Sequence, residues 1–150
     1  MFNLLVKFCA TFGFVGYIKA APGTLGTLAA VAVACLTYHD QTLYILTTVI
    51  ITALGFYTSG KMEGIVGKKD PGCVVIDEAS GLMLSLFMLP MTPAVVVTAF
   101  FLFRAFDMFK IYPMDRLEDA GGGFGIMMDD IVAGIYTNLV MQIALRLAVG

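Results

Sequence analysis

Charge is what this chain has least of. Asp, Glu, Lys and Arg make up 13% of its 150 residues, where a soluble globular domain carries about 25%. No basic excess exists either: nine Lys and Arg face eleven Asp and Glu, a net charge of -2. That balance cannot neutralise a nucleic-acid backbone, so nucleic acid is excluded as a partner. Tryptophan is absent and histidine occurs once, as His39. The three cysteines, Cys9, Cys35 and Cys73, are odd in number and far apart. They form neither a CxxC pair nor a zinc spacing, and read as small apolar fillers. Residues 1–7 lack a positive region ahead of an apolar run, and no small-residue cleavage site follows, so no cleaved signal peptide is expected.

What the chain has instead is apolar surface. Hydrophobic residues account for 59% and mean hydropathy is +0.91. A chain of this size cannot hide that much apolar surface in a core surrounded by water. Lipid is therefore the expected solvent. The length predicts one domain, 1–150.

Five apolar stretches stand out: Leu25–Tyr38, Thr42–Tyr57, Val74–Leu89, Ala94–Phe109 and Ile131–Val149. Each is about 14–19 residues, slightly short of the roughly 20 that span the hydrocarbon core, and flanking polar residues can extend them. Lipid cannot satisfy open backbone groups, so these stretches must be helices. The expected fold is an all-α polytopic bundle of about five transmembrane helices. Phe2 to Ile18, apolar but broken by Lys7, Gly13 and Gly16, reads as an additional interfacial or re-entrant helix. The breaks Ser59–Gly72 and Lys110–Met128 read as polar loops. No internal repeat is visible.

Alternating the breaks across a bilayer puts Lys7, Lys19, Lys61, Lys68, Lys69, Lys110 and Arg116 on one side. The positive-inside rule makes that side cytoplasmic. His39 falls on the opposite side.

The acids are not scattered. Asp77 and Glu78 open the third stretch, Asp107 closes the fourth, and Asp129 and Asp130 open the fifth. All five are expected near the cytoplasmic ends of their helices. A charge at mid-bilayer costs roughly 2.5–3.5 kcal/mol on insertion scales, so these five with Arg104 and Lys110 would cost on the order of 20 kcal/mol if isolated there. Folding stability is only about 5–15 kcal/mol. They must lie at the interface, pair with one another or bind a cation. Solvated helix ends are the simple alternative; recurrence on three helices favours a shared ionic site. Oxygen ligands without sulfur or imidazole suit Mg²⁺ when phosphate also binds, and argue against zinc. Arg104, Asp107 and Lys110 recur at steps of three, sharing one broad helix face. They read either as a phosphate clamp beside a metal-ligating Asp or as an ion pair neutralising a helix end.

Two Gly-bearing segments also read two ways. Ala21-Pro22-Gly23-Thr24-Leu25-Gly26-Thr27 offers backbone N–H groups and Thr hydroxyls to a phosphate, or is a Pro/Gly helix start with a Thr cap. It lacks the ending of a P-loop. Gly121-Gly122-Gly123-Phe124-Gly125 is a ligand-approach loop or a flexible linker. Cys73 and Ser80 lie near Asp77, but with His39 across the membrane only carboxylates are available as a base.

Taken in order, four segments resemble the phosphatidylglycerophosphatase A family of bacterial membrane phosphatases. They are APGTLGT at 21–27, VIDEASG at 75–81, FRAFDMFK at 103–110 and GIMMDDIVAG at 125–134. One departure is that Ile111 stands where the family pattern places a proline, with Pro113 two residues on. The resemblance implies a Mg²⁺-dependent phosphomonoester hydrolase in the bacterial cytoplasmic membrane, its active site facing the cytoplasm. Its substrate would be the phospholipid phosphatidylglycerophosphate and its products phosphatidylglycerol and inorganic phosphate. Asp77, Glu78, Asp107, Asp129 and Asp130 would hold metal and carry catalysis. Arg104 and Lys110 would grip phosphate, with Lys19 and Thr24 assisting. A phosphotransferase using a CDP-activated lipid and a small ion transporter are the two other classes weighed. No residue pattern sets an oligomeric state.

Overall fold

The computed structural model describes residues 2–110, 112, 114–118 and 121–149, and among these all regular structure is helical. The α-helices are α1 (Phe2–Ala10), α2 (Pro22–Thr37), α3 (Gln41–Val66), α4 (Ile76–Ser85), α5 (Pro93–Phe109), α6 (Met114–Glu118) and α7 (Gly122–Val149). Ile111 and Pro113, the departure from the family pattern, lie outside the described residues.

The elements start where local chemistry starts them. Asp40 caps α3, its carboxylate accepting from the N–H groups of Thr42 and Leu43 at 2.8 and 3.1 Å. Pro22 and Pro93 open α2 and α5, where a missing N–H costs nothing. Gly67, at φ 72, ends α3.

Among the described residues two helices, α3 and α7, are long and apolar enough to cross a membrane; α2 is a shorter apolar helix. The helical class is as expected, with two helices of spanning length where about five were expected. α3 continues to Val66, so most of the expected Ser59–Gly72 loop is helix. The expected Lys110–Met128 loop contains α6 and the start of α7. The third stretch is cut short: α4 has 10 residues, about 15 Å at 1.5 Å per residue, half of a roughly 30 Å hydrocarbon core. The chain turns at Leu86–Leu89, with Met88 left-handed at φ 56. The expected N-terminal helix is present as α1, followed by a 3₁₀ turn at Val15–Tyr17.

The core is built around α4. Its Ala79, Ser80, Leu82, Met83 and Ser85 are fully enclosed, and α2, α3, α5 and α7 all pack on it. Outward faces are apolar instead: Leu36, Val49, Phe101, Ile143 and Leu147 are all exposed. Burying polar groups inside and showing apolar ones outside suits lipid. Several buried hydroxyls are satisfied within their own helices: Thr27, Thr48, Ser85 and Thr137 donate to the carbonyl four residues back at 2.8–2.9 Å.

Candidate active site

Asp77 and Glu78 occupy the first turn of α4, where the helix dipole favours negative charge. Asp130 projects from α7 toward them. One carboxylate oxygen from each of Asp77, Glu78 and Asp130 lies within 4.8 Å of the others. Asp77 and Asp130 are 8% and 3% exposed. Asp77 Oδ1, Glu78 Oε2 and Asp130 Oδ1 are buried with no hydrogen-bond partner. Lone oxygens in a closed site are costly unless something positive meets them. An all-oxygen donor set of this kind fits a hard divalent cation.

On α4, outside the two spanning-length helices, the electrostatic cost is visible in Asp77. Desolvation, then the negative charges of Glu78 and Asp130, hold its carboxyl well above the usual carboxylate range. Glu78 is also raised, by desolvation first; the nearby Arg104 charge works the other way.

Cations stand beside this trio. Arg104 on α5 bonds Asp107 at 2.6 Å and approaches Glu78 at 3.9 Å. Lys110, the left-handed residue that ends α5, pairs with Asp129 at 3.3 Å. Asp77, Glu78, Asp107, Lys110, Asp129 and Asp130 all line one cavity of about 130 Å³. The structure thus brings all five expected acids and Lys110 to one place, with Arg104 at its edge. Asp107 and Asp129 make the two close ion pairs, Glu78 stands farther from Arg104, and the trio is the group with orphaned oxygens.

Three expectations shift. Asp129 and Asp130 do not open their helix: α7 begins at Gly122, so they sit about two turns inside it. The Gly121–Gly125 segment is neither ligand loop nor linker, because Gly123 packs against the Phe56 carbonyl and Gly60 on α3, where a Cβ would collide. No Thr caps α2; its cap residue is Ala21, without a side-chain bond.

Lys19 is exposed and is not among the residues lining the cavity. Thr24 is half-buried on the first turn of α2 and is likewise not a lining residue. Its neighbour Gly23 is closer in: a Cβ there would strike Glu78 Oε1 and come within 3.4 Å of an Arg104 nitrogen. Sequence reasoning missed Asp70, Gly72, Val74 and Ile126, which also line the cavity. The Asp70-Pro71-Gly72 turn directly before α4 was the available signal. His39 lies at the α2–α3 turn with its ring 3.9 Å from that of Tyr38. Ser80 bonds Thr52 at 2.7 Å and does not line the cavity.

Known proteins resemble this chain over most of its length. A Bacteroides thetaiotaomicron protein provisionally named a phosphatidylinositol-3-phosphatase is 35% identical over 138 residues, 86% of each chain. Two proteins named phosphatidylglycerophosphatase A are similar at comparable levels. That of Haemophilus influenzae is 35% identical over 84% of this chain and 80% of its own. That of Escherichia coli is 37% identical over 80% and 72%. No solved structure matches. The sequence model described as phosphatidylglycerophosphatase A matches residues 8–145, a span that contains every acid of the cavity, and the chain belongs to that family.

Proposed function

We propose that this chain is a Mg²⁺-dependent lipid phosphatase. It hydrolyses phosphatidylglycerophosphate to phosphatidylglycerol and inorganic phosphate, as a single domain in the bacterial cytoplasmic membrane with its site toward the cytoplasm. The observation that carries the reading is the trio of buried, unpartnered carboxylate oxygens beside Arg104 and Lys110, in a chain of this family.

Asp77, Glu78 and Asp130 would hold the ion, with Asp107 and Asp129 as further ligands. When bound, Mg²⁺ supplies Lewis-acid neutralisation of the phosphoryl oxygens. Arg104 presents a planar fork suited to phosphate, and exchanges part of its pairing with Asp107 for the substrate. Lys110 places a second positive charge across the cavity. Thr24 extends the grip from α2, and Lys19 adds charge on the approach. A carboxylate of the cluster, Glu78 being the best placed beside Arg104, takes the proton of the attacking water. The water oxygen bonds to phosphorus as the ester P–O bond breaks, and the proton passes to the departing alkoxide. An aspartyl-phosphate route would instead leave ³²P trapped on the protein.

Purified protein in detergent tests this. Phosphate release from phosphatidylglycerophosphate should require Mg²⁺, stop with EDTA, and fall at least ~10²-fold in Asp130→Asn, the scale of losing a transition-state charge partner. Activity persisting in EDTA would reject the metal role. The name of the Bacteroides relative gives a second headgroup to assay. Faster release from phosphatidylinositol 3-phosphate would move the substrate assignment and leave the chemistry in place. CMP release from a CDP-activated lipid would favour the phosphotransferase class. Cation flux in liposomes without lipid turnover would favour a transporter.

A further inference from the structure

α4 and α7 meet along two matched rows of residues. On α4 the row is Asp77, Gly81 and Ser85; on α7 it is Asp130, Gly134 and Asn138. Each row steps by four, which keeps it on one helix face. Residue numbers rise together along both rows, so the two helices run parallel here. At one end Asp77 and Asp130 face each other in the acid trio. In the middle Gly134 lies against the Gly81 carbonyl, so closely that a Cβ on Gly134 would collide with it. At the far end Asn138 Nδ2 donates to the carbonyls of Ser85 and Phe87 at 3.1 and 2.7 Å.

Those carbonyls belong to the last residue of α4 and to the turn that follows it, where the end of any helix leaves acceptors without intrahelical donors. Ser85 is fully buried here and Leu86 nearly so, and lipid offers no donor in place of a side chain. Tyr44 on α3 covers another acceptor of the same turn, its hydroxyl donating to the Met83 carbonyl at 2.6 Å. Asn138 differs from Tyr44 in the helix it comes from. It stands on α7, two turns beyond Asp130, so its bonds fix how far α4 is displaced along the helix that supplies the third carboxylate.

We propose that Asn138 is a positioning residue for the reaction: by holding the end of α4 it sets the register between α4 and α7, and through that register the approach of Asp77 and Glu78 to Asp130. It touches neither substrate nor reacting atoms. The inference rests on the divalent-cation reading of the trio, and the test separates the two.

Mn²⁺ serves as the probe, its binding to the purified protein in detergent followed by electron paramagnetic resonance. Asn138→Leu keeps the branched side-chain skeleton and removes the donor. Loss of a group that orients metal ligands lowers affinity by about 10–100-fold. Asn138→Leu should therefore bind Mn²⁺ at least ~10-fold more weakly than the parent. Its kcat at saturating Mg²⁺ should fall while KM for the lipid stays within about twofold, because the headgroup contacts are untouched. Asn138→Gln, which restores an amide donor, should recover part of both. If Asn138→Leu does not fold, Asn138→Ala, which leaves room for a water at the two carbonyls, carries the same measurements. Parent-like Mn²⁺ affinity and kcat in the folded variant would overturn the proposal and leave the metal reading standing. Absence of Mn²⁺ binding by the parent would overturn both.

Discussion

Gly23 shows how closely the cavity is fitted. It carries no side chain where one would press on Glu78 Oε1. Glu78 is held from two sides, by α2 at this glycine and by Arg104 at 3.9 Å. Gly23→Ala meets only the far end of a flexible side chain, so the fold should survive while the Glu78 carboxylate moves. The expected outcome is a melting temperature within a few degrees of the parent, with phosphatase activity lowered about 10–100-fold, the range for disturbing a ligand's surroundings. Steady-state assays and a thermal melt of the same preparation check it, and unchanged activity would separate Gly23 from the site. The acids were legible as residues because ionised groups are rare in an apolar chain and these recur on three helices. Gly23 was legible only as part of a motif, since a missing Cβ announces no partner.

At the level of elements, runs of apolar residues located the helices and mislocated several ends. α3 runs past Tyr57 through Ser59, Gly60 and Lys61 to Val66, because a helix whose Gly60 packs on Gly123 need not stay apolar. α7 starts at Gly122 for the same reason. α4 erred the other way: its run looked long enough for a helix to Leu89, yet side chains of α3 and α7 meet its carbonyls from Met83 onward. Such partners come from distant parts of the chain and leave no local mark. Two glycines test the packing itself. Gly134→Ala forces a methyl onto the backbone carbonyl of Gly81, which cannot rotate away. It should destabilise by about 1–3 kcal/mol, the usual cost of overpacking, and weaken activity. Gly64→Ala on α3 meets no atom within 4 Å and should be neutral or stabilising by up to about 1 kcal/mol, as for an unconstrained helical glycine. Melts in one detergent compare the pair; equal behaviour would remove the close α4–α7 crossing from the account.

For the molecule as a whole, Lys68 and Lys69 follow the end of α3 while His39 precedes its start. A spanning α3 places them on opposite faces of a bilayer. In a background with Cys9, Cys35 and Cys73 replaced, Lys68→Cys should react with an impermeant maleimide only from the cytoplasmic face and His39→Cys only from the outer face. Labelling of both from one face would show that α3 does not cross. The acid cavity lies toward the lysine end, since Asp70 and Gly72, which follow Lys68 and Lys69 in the chain, line it.

The apolar exterior has a kinetic corollary. An enzyme clothed in Leu36, Val49, Phe101 and Leu147 side chains shares a two-dimensional phase with its diacyl substrate. Encounters then depend on how crowded that phase is with substrate, and diluting a mixed micelle with more detergent should slow turnover even when the number of lipid molecules in the tube is unchanged.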